Sequence, residues 1–143
     1  MMYGEFMELA GYEVEYKTYA EIIEPMYMAL PDSVTKQDFI KMLDKKAFAL
    51  PTKRALVRDM RKMAESLRET CEHYTDTETA ERLDRAAKAY AKRFYGIDWT
   101  HDTKSYVFFN RQYSYPEIGR GCTYPCELVI GRGEYEYERV ALA

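Results

Sequence analysis

The sequence predicts an α+β protein with about four helices, including a long antiparallel helical hairpin, followed by a small three-stranded antiparallel sheet. Two observations predict this class. Apolar residues recur at three- and four-residue steps through much of residues 1–97, which indicates amphipathic helices. After residue 97, apolar and aromatic residues occur in short runs separated by glycine and proline, as in short strands. We expect one domain over residues 1–143, mainly helical over 1–97 and an antiparallel β meander over 98–143.

The first two predicted helices lie before residue 45. In TYAEIIEPMYMALP, Thr18 and Glu21 have the spacing of a capping box, and Pro25 should kink or restart the helix. The second helix lies in SVTKQDFIKML, with Ser33 or Thr35 as its N-cap. The alternation in YEVEYKTY also permits a strand, so the structure of the first 17 residues stays open.

The helical hairpin is predicted at residues 53–95. Thr52 caps its first helix, whose apolar stripe consists of Leu56, Met60, Met63, Leu67, Cys71 and Tyr74. Thr75 or Thr77 caps the second helix and Gly96 ends it. Its apolar stripe consists of Leu83, Ala87, Tyr90 and Phe94. Two long helices joined by a few residues are expected to pack antiparallel.

The sequence IGRG occurs at 118–121 and again at 130–133. Gly-Arg-Gly between an apolar run and an alternating run predicts a hairpin turn, because glycine adopts positive φ without steric cost. Successive turns of a meander lie at opposite ends of a sheet, so Arg120 and Arg132 should be far apart and should not form one phosphate site. The three strands are expected at roughly 105–116, 122–130 and 134–141.

Two further features of the sheet follow from residue type. Proline cannot donate to a strand ladder, so Pro116 and Pro125 are expected at strand edges, bulges or loop ends. A sheet of this size also needs a helix face to cover it. The residues expected to make that buried contact are Val107, Phe109, Leu128, Ile130 and Val140.

Composition and charge exclude several classes. The net charge of −3 gives no general reason to bind nucleic acid, and no apolar run is long enough to span a membrane. The N-terminal residues lack the basic start and apolar stretch of a secretory signal, so we expect a cytoplasmic protein. For that reason we expect the three cysteines to be thiols without a disulfide framework.

No set of residues predicts catalysis, and no cofactor is expected. The glycine-rich turns lead into strands, whereas a phosphate-binding loop leads into a helix N-terminus. Cys122 and Cys126 have the spacing C-x3-C, but structural zinc needs four ligands and only Cys71, His73 and His101 remain as candidates. We therefore expect neither an enzyme nor a bound metal, although the Cys122–Cys126 spacing leaves a metal open.

The abundance of tyrosine instead favours protein binding. The chain has 14 tyrosines, six of them in residues 101–143, and binding hot spots are enriched in Tyr, Trp and Arg. We expect non-enzymatic binding to a protein or ribonucleoprotein complex. The residues predicted to contact it are Tyr113, Tyr115, Arg120, Tyr124 and Arg132.

A nucleic-acid-binding regulator is the alternative. The helices around TKQDFIKML and TKRALVRDMRKM occur in the order of a helix-turn-helix. Phosphate contact needs clustered basic residues, and the candidates are Lys53, Arg54, Arg58, Arg61 and Lys62. A third interpretation is self-association through a tyrosine-rich edge strand, which leaves the oligomeric state open.

The N-terminal stretch resembles the opening of small proteins from phages and mobile elements of gut Firmicutes. The matching residues in the first 45 or so are Phe6, Leu9, Gly11, Tyr19, Ile22, Met26, Tyr27, Met28, Lys36 and Phe39. The resemblance implies a mobile-element context, in which small acidic proteins often inhibit host machinery by direct binding. Anti-CRISPR proteins are among them, so the sharpest expectation is inhibition of a host defence complex.

Overall fold

The structure is a computed structural model that describes residues 1–98, 102–115, 118 and 120–143, apart from the side chain of Arg120. In these residues it has six helices and one three-stranded antiparallel sheet, which confirms the α+β class. The expected number of about four helices is too low, because two short helices near the N-terminus were missed. No described helix has the length and apolar composition needed to cross a bilayer.

The chain divides into two compact units, Met1–Pro51 and Thr52–Ala143. This division differs from the change in secondary structure that the sequence places near residue 97. The reason is that the last two helices share one apolar core with the sheet and therefore belong to the same unit. The single domain expected from the chain length stays a prediction.

The N-terminal unit is helical. Its elements are α1 (Tyr3–Ala10), α2 with the consecutive segments Tyr16–Thr18, Tyr19–Ile23 and Glu24–Met28, α3 (Lys36–Met42) and α4 (Lys45–Phe48). Thr35 caps α3 by accepting a hydrogen bond from the Asp38 N–H at 3.1 Å, as one of the two alternatives predicts. The strand that YEVEYKTY permits does not form, because α2 begins within that stretch.

Pro25 shapes α2. The segment before it, Tyr19–Ile23, is π-helical, and Pro25 lies in the first turn of the segment that follows. Because proline has no N–H to donate to the carbonyl four residues earlier, a wider turn accommodates it. The predicted disturbance at Pro25 is confirmed. The capping box at Thr18 is wrong, since Thr18 lies inside the helical stretch and its side chain caps nothing.

Three of the ten residues named for the N-terminal resemblance lie in the buried core of the N-terminal unit. Its buried residues are Phe6, Val14, Tyr19, Ile23 and Phe39. Phe6, Tyr19 and Phe39 are also among the matching residues, and aromatic rings pack against each other there. That part of the pattern therefore describes how these helices pack and names no binding residue.

The C-terminal unit begins with two long helices, α5 (Lys53–Thr70) and α6 (Thr77–Tyr95). Thr52 caps α5 as predicted, accepting from the Ala55 N–H at 3.1 Å. Asp76 caps α6, accepting from the Thr79 N–H at 3.0 Å, so the expectation of Thr75 or Thr77 is wrong. An aspartate between two threonines offers a stronger acceptor for the same helix start.

The two long helices run in opposite directions. Leu56, near the start of α5, shares a groove with Arg93 near the end of α6. Ser66, near the end of α5, shares a groove with Thr79 near the start of α6. This packing aligns the two apolar stripes along one side of the pair.

The sheet follows, in the order β1-β2-β3, with β1 (Ser105–Tyr115), β2 (Arg120–Arg132) and β3 (Tyr135–Ala141). Gly133, with φ of 59°, opens the two-residue β2–β3 loop, where a type II′ turn needs glycine. Pro125 adjoins a register shift that leaves Cys126 without a paired residue, as expected for proline at a bulge. Pro116 lies outside the described residues.

One face of the sheet packs on α5 and α6. Leu128, Ile130 and Val140 are buried with Met60, Ala64, Leu83, Ala87 and Tyr90 in one core, and Val107 and Phe109 pack against it. All five sheet residues expected in this contact are therefore confirmed. Leu56, Met60, Met63 and Leu67 of the predicted α5 stripe and all of the predicted α6 stripe supply the other half of the core. Cys71 and Tyr74, which were also predicted in the α5 stripe, lie beyond the end of that helix, and Tyr74 is exposed.

A glycine on β2 makes room for an aromatic ring. The Tyr106 hydroxyl reaches across β2 and donates to the carbonyl of Tyr135 at 3.3 Å. A Cβ atom on Gly131 would lie 2.2 Å from the Tyr106 hydroxyl and 2.4 Å from the Tyr135 carbonyl oxygen. The tyrosine ring thus covers a position where no side chain fits.

We expect Gly131→Ala to lower the free energy of unfolding by about 1–3 kcal/mol, because the new methyl group overlaps backbone as well as side-chain atoms. Urea denaturation measures the change. Gly4→Ala is the control, since a Cβ there meets nothing within 4 Å, and in the first turn of α1 it should leave stability unchanged or raise it slightly. Equal stability of Gly131→Ala and the wild-type protein would contradict this packing.

Candidate functional site

The pairing of β1 with β2 continues beyond the third strand. β3 pairs only with Glu127–Arg132, whereas β1 and β2 stay paired from Arg111 opposite Pro125 to Tyr115 opposite Arg120. We call this extension, residues 111–115 and 120–125, the ribbon. No third strand lies beside it in the residues that the structure describes. Tyr124 and Pro125 are buried within the unit, whereas residues 111–113 and 115 are exposed.

Exposed apolar side chains gather at the end of the ribbon. Tyr113 is 47% exposed, Tyr115 is 49% exposed, and Ile118 in the turn is 64% exposed. Tyrosine offers a large rigid contact area with little loss of conformational entropy on binding. The two tyrosines predicted to bind a partner therefore lie together on an accessible part of the molecule.

Glu72, just after α5, holds this end of the ribbon. Its carboxylate accepts hydrogen bonds from the Ser114 hydroxyl at 2.7 Å and from the Tyr115 hydroxyl at 3.1 Å. The hydrogen bond to the carboxylate raises the pKa of Tyr115, which stays protonated and keeps donating. Sequence reasoning missed Glu72, because nothing in the residues around it signals a contact with a strand more than 40 positions away.

A disulfide lies next to Glu72. Cys71 at the end of α5 is bonded to Cys122 on β2, with 5.8 Å between their Cα atoms. The expectation of three free thiols is wrong for this pair, because it was drawn from the predicted compartment and not from geometry. The bond also occupies Cys122, so Cys122 and Cys126 do not form a metal-binding thiol pair. Cys126 is a free thiol and donates to the Asn110 carbonyl at 3.4 Å.

The other predicted contact residues are not part of this exposed cluster. Tyr124 is only 4% exposed, and the Arg68 guanidinium lies 5.3 Å from its ring centre, so it is a packing residue. Arg120 begins β2 but its side chain lies outside the described residues. Arg132 ends the same strand, about 40 Å away for twelve extended residues, which confirms that the two arginines are far apart.

Arg132 has a local partner at its own end of the sheet. Its Nε lies 3.2 Å from the Asp102 carboxylate. The pKa of Asp102 lies below its ordinary value, mainly because the Ser105 hydroxyl donates to the carboxylate. The backbone N–H groups of Lys104 and Ser105 and the charge of Arg132 add to this effect. These contacts fix the residues that lead into β1 next to the β2–β3 turn.

The basic residues of α5 fall into two groups. The Lys53 ammonium forms an ion pair with Glu138 at 3.1 Å, and the Arg61 Nε donates to the Ala141 carbonyl at 2.8 Å. Both side chains thus contribute to the fold. Arg54, Arg58 and Lys62 are exposed and form no ion pair with the residues that the structure describes.

Glu138 is the centre of a cluster of hydrogen bonds and an ion pair in the C-terminal unit. A register shift in β3 beside Gly131 leaves Tyr137 unpaired and lets it stack on Tyr95, with 5.2 Å between ring centres. The Glu138 carboxylate accepts from the Tyr90 hydroxyl at 2.6 Å and the Tyr95 hydroxyl at 2.9 Å. This cluster joins the start of α5, the end of α6 and β3.

The pKa of Glu138 reflects two opposing effects. Desolvation raises it, but the hydrogen bonds from Tyr90, Lys53 and Tyr95 together outweigh desolvation, so the pKa lies below its ordinary value. Desolvation and the same carboxylate raise the pKa of Tyr90, which remains a donor. All the polar groups of the cluster are used in binding each other, and the cluster is structural.

The described part of the chain contains no group of side chains placed to bind a metal ion. In residues 1–98, 102–115, 118 and 120–143, no three His, Cys, Asp or Glu side chains are placed to hold a metal ion. His101, one of the candidate ligands, lies outside these residues. The absence of an enzyme therefore stays a prediction.

We expect Glu138→Gln to lower the free energy of unfolding by about 2 kcal/mol near pH 6, because an amide does not accept three charge-assisted bonds. A carboxylate with a depressed folded pKa stabilises fully above its unfolded pKa of about 4.3 and loses this effect as the pH falls through the folded pKa. The difference between the two proteins in urea denaturation should thus shrink near pH 3. Glu134→Gln, in the exposed β2–β3 loop, is the control. A difference that grows toward pH 3 would contradict the assignment.

Comparisons with protein families, with curated proteins and with solved structures found no match to this chain.

Proposed function

We propose that the protein is a non-enzymatic binding protein that contacts a protein partner through the end of the ribbon. The observation that carries this proposal is the exposure of Tyr113 and Tyr115 on a two-stranded extension that Glu72 holds in place. Exposed apolar groups on a fixed support have little conformational entropy to lose when they bind, which favours affinity.

The sharper form of the proposal is that the partner is a host defence complex and that binding inhibits it. This form rests on the resemblance of the N-terminal residues to proteins of phages and mobile elements. It does not depend on the ribbon, and the two parts can be tested separately.

The partner is sought first by pull-down with tagged protein from a lysate of a Firmicute, with and without nuclease. A stoichiometric protein that remains after nuclease treatment supports the proposal. A set of proteins that disappears with nuclease supports nucleic-acid binding instead.

We expect Tyr113→Ala combined with Tyr115→Ala to weaken binding of the captured partner by about 2 kcal/mol or more, which is roughly 30-fold in Kd. The variant removes the two aromatic contacts, and titration calorimetry measures the loss. Tyr135→Ala is the matched control, because Tyr135 is 78% exposed but follows the β2–β3 turn at the opposite end of the sheet. A folded double variant with wild-type affinity would exclude the ribbon as the contact.

A second candidate function is nucleic-acid binding through α5. Arg54, Arg58 and Lys62 are exposed without ion pairs to the described residues, and Arg61 is fixed beside them by the Ala141 carbonyl. At 100° per residue, these four side chains project within about one quarter to one third of the helix circumference. Free cations on one helix face are what phosphate contact needs.

For this second function, we expect Arg54→Glu with Arg58→Glu to abolish binding to a labelled DNA duplex or single-stranded RNA. Three phosphate contacts predict that log K falls with log salt concentration with a slope of about −2.7 for the DNA duplex and about −2 for single-stranded RNA. Fluorescence anisotropy at several salt concentrations measures both quantities. Arg85→Glu with Lys92→Glu, both exposed on α6, makes the same charge change away from the α5 cations. Equal losses in both double variants would show a net-charge effect and exclude a specific α5 surface.

A further inference from the structure

The only disulfide among the described residues lies where the ribbon is fixed to the helices. Cys71 and Cys122 are 51 positions apart in sequence, and their bond joins the end of α5 to the part of β2 that lies beyond β3. On the adjacent strand β1, Tyr113 and Tyr115 carry the exposed rings of the candidate contact surface. The covalent link is therefore part of the support of that surface.

One residue beside each cysteine contacts Ser114 and Tyr115 of β1. Glu72, after Cys71, accepts the hydrogen bonds of Ser114 and Tyr115. Gly121, before Cys122, has φ of 90°, and a Cβ there would lie 2.2 Å from the Ser114 hydroxyl and 3.1 Å from the Tyr115 ring. The disulfide thus holds together the two backbone segments that position Ser114 and Tyr115.

A cleft of about 240 Å³ lies against the disulfide. Both cysteines line it, together with Leu67, Tyr74 and Arg111. The Arg111 guanidinium is fixed there by hydrogen bonds to the Thr123 hydroxyl and carbonyl, each at 3.0 Å. A fixed cation beside a disulfide favours the thiolate that leaves when the bond is attacked.

We propose that Cys71–Cys122 is a reversible redox site that controls the ribbon end, and this regulation rests on the proposed partner-binding function. A thiolate of a small dithiol attacks one sulfur and forms a mixed disulfide, and the other cysteine leaves as a thiolate. The second thiol of the reductant then releases the first cysteine. The protein gains two electrons and two protons, and the dithiol becomes a cyclic disulfide.

The oxidised protein has the ribbon geometry described above and binds the partner. In the reduced protein non-covalent contacts alone hold the ribbon against the helices, among them the hydrogen bonds to Glu72 and the packing of Tyr124 beside Arg68. Reduction therefore increases local opening of the ribbon, while the part of β2 paired with β3 stays closed. In a reducing compartment the ribbon therefore closes only when this bond is oxidised. Disulfides in such compartments are usually redox-sensing or catalytic.

Thiol labelling tests the site in the full-length protein. Iodoacetamide should label one cysteine, Cys126, in air-oxidised protein and three after treatment of the folded protein with millimolar dithiothreitol, as read by mass spectrometry. If the reductant is removed and the protein is re-oxidised in air before labelling, oxygen accepts the two electrons and the single label should return. Three labels before reduction, or a bond that the folded protein does not release to dithiothreitol, would overturn the proposal.

Hydrogen–deuterium exchange then tests the control of the ribbon. Amides of 112–115 and 120–123 should exchange at least about tenfold faster after reduction, whereas those of 127–141 should change less than about twofold. Cys71→Ser with Cys122→Ser should match the reduced protein, and Cys126→Ser should match the oxidised one. Equal exchange of the ribbon in both redox states would overturn the proposal.

The pull-down separates this inference from the proposed function. Partner capture by the oxidised protein that falls at least tenfold on reduction supports both. Capture that is the same in both redox states overturns the regulation and leaves the binding function standing. A difference in exchange with no partner in either state keeps the redox site and overturns the binding function.

Discussion

Burial of one face of the sheet on α5 and α6 is the contact on which the C-terminal unit depends. Three strands are barely enough to form a stable sheet in water, and a helix layer supplies the missing apolar contact. Leu128, Ile130 and Val140 become fully or almost fully buried there. The Glu138 cluster then joins both helices to β3 at one end of this core, and the disulfide joins α5 to β2 at the other.

The same contact explains why the ribbon is available for binding. The core cluster covers the sheet where all three strands are paired. β1 and β2 continue past that point, where Tyr124 and Pro125 are buried but Tyr113 and Tyr115 are exposed. A free two-stranded ribbon is only marginally stable. Here the disulfide and the two hydrogen bonds to Glu72 hold it, so that exposed tyrosines stay on a fixed support.

Local signals in the sequence predict much of this fold. Glycine and proline positions predict the three strands to within about two residues. The turns are shifted from the Gly-Arg-Gly sequences, because β2 includes Gly121, Gly131 and Arg132 and only Gly133 lies in the β2–β3 loop. Apolar periodicity predicts both long helices and most of the residues buried between these helices and the sheet. The helices α1 and α4 were missed, because they are short and have no long apolar stripe, although Asp44 caps the start of α4 and Gly11 ends α1. The contacts of Glu72 and the Cys71–Cys122 bond were also missed, since they join residues far apart in sequence and only the packed unit brings them together.

Site-specific photocrosslinking tests the central claim most directly. A photoreactive phenylalanine analogue replaces Tyr113 in one protein and Tyr135, at the other end of the sheet, in a second. After irradiation in nuclease-treated lysate under non-reducing conditions, we expect one protein adduct from position 113 and none from position 135. Adducts of equal yield from both positions, or from position 135 alone, would contradict binding through the ribbon.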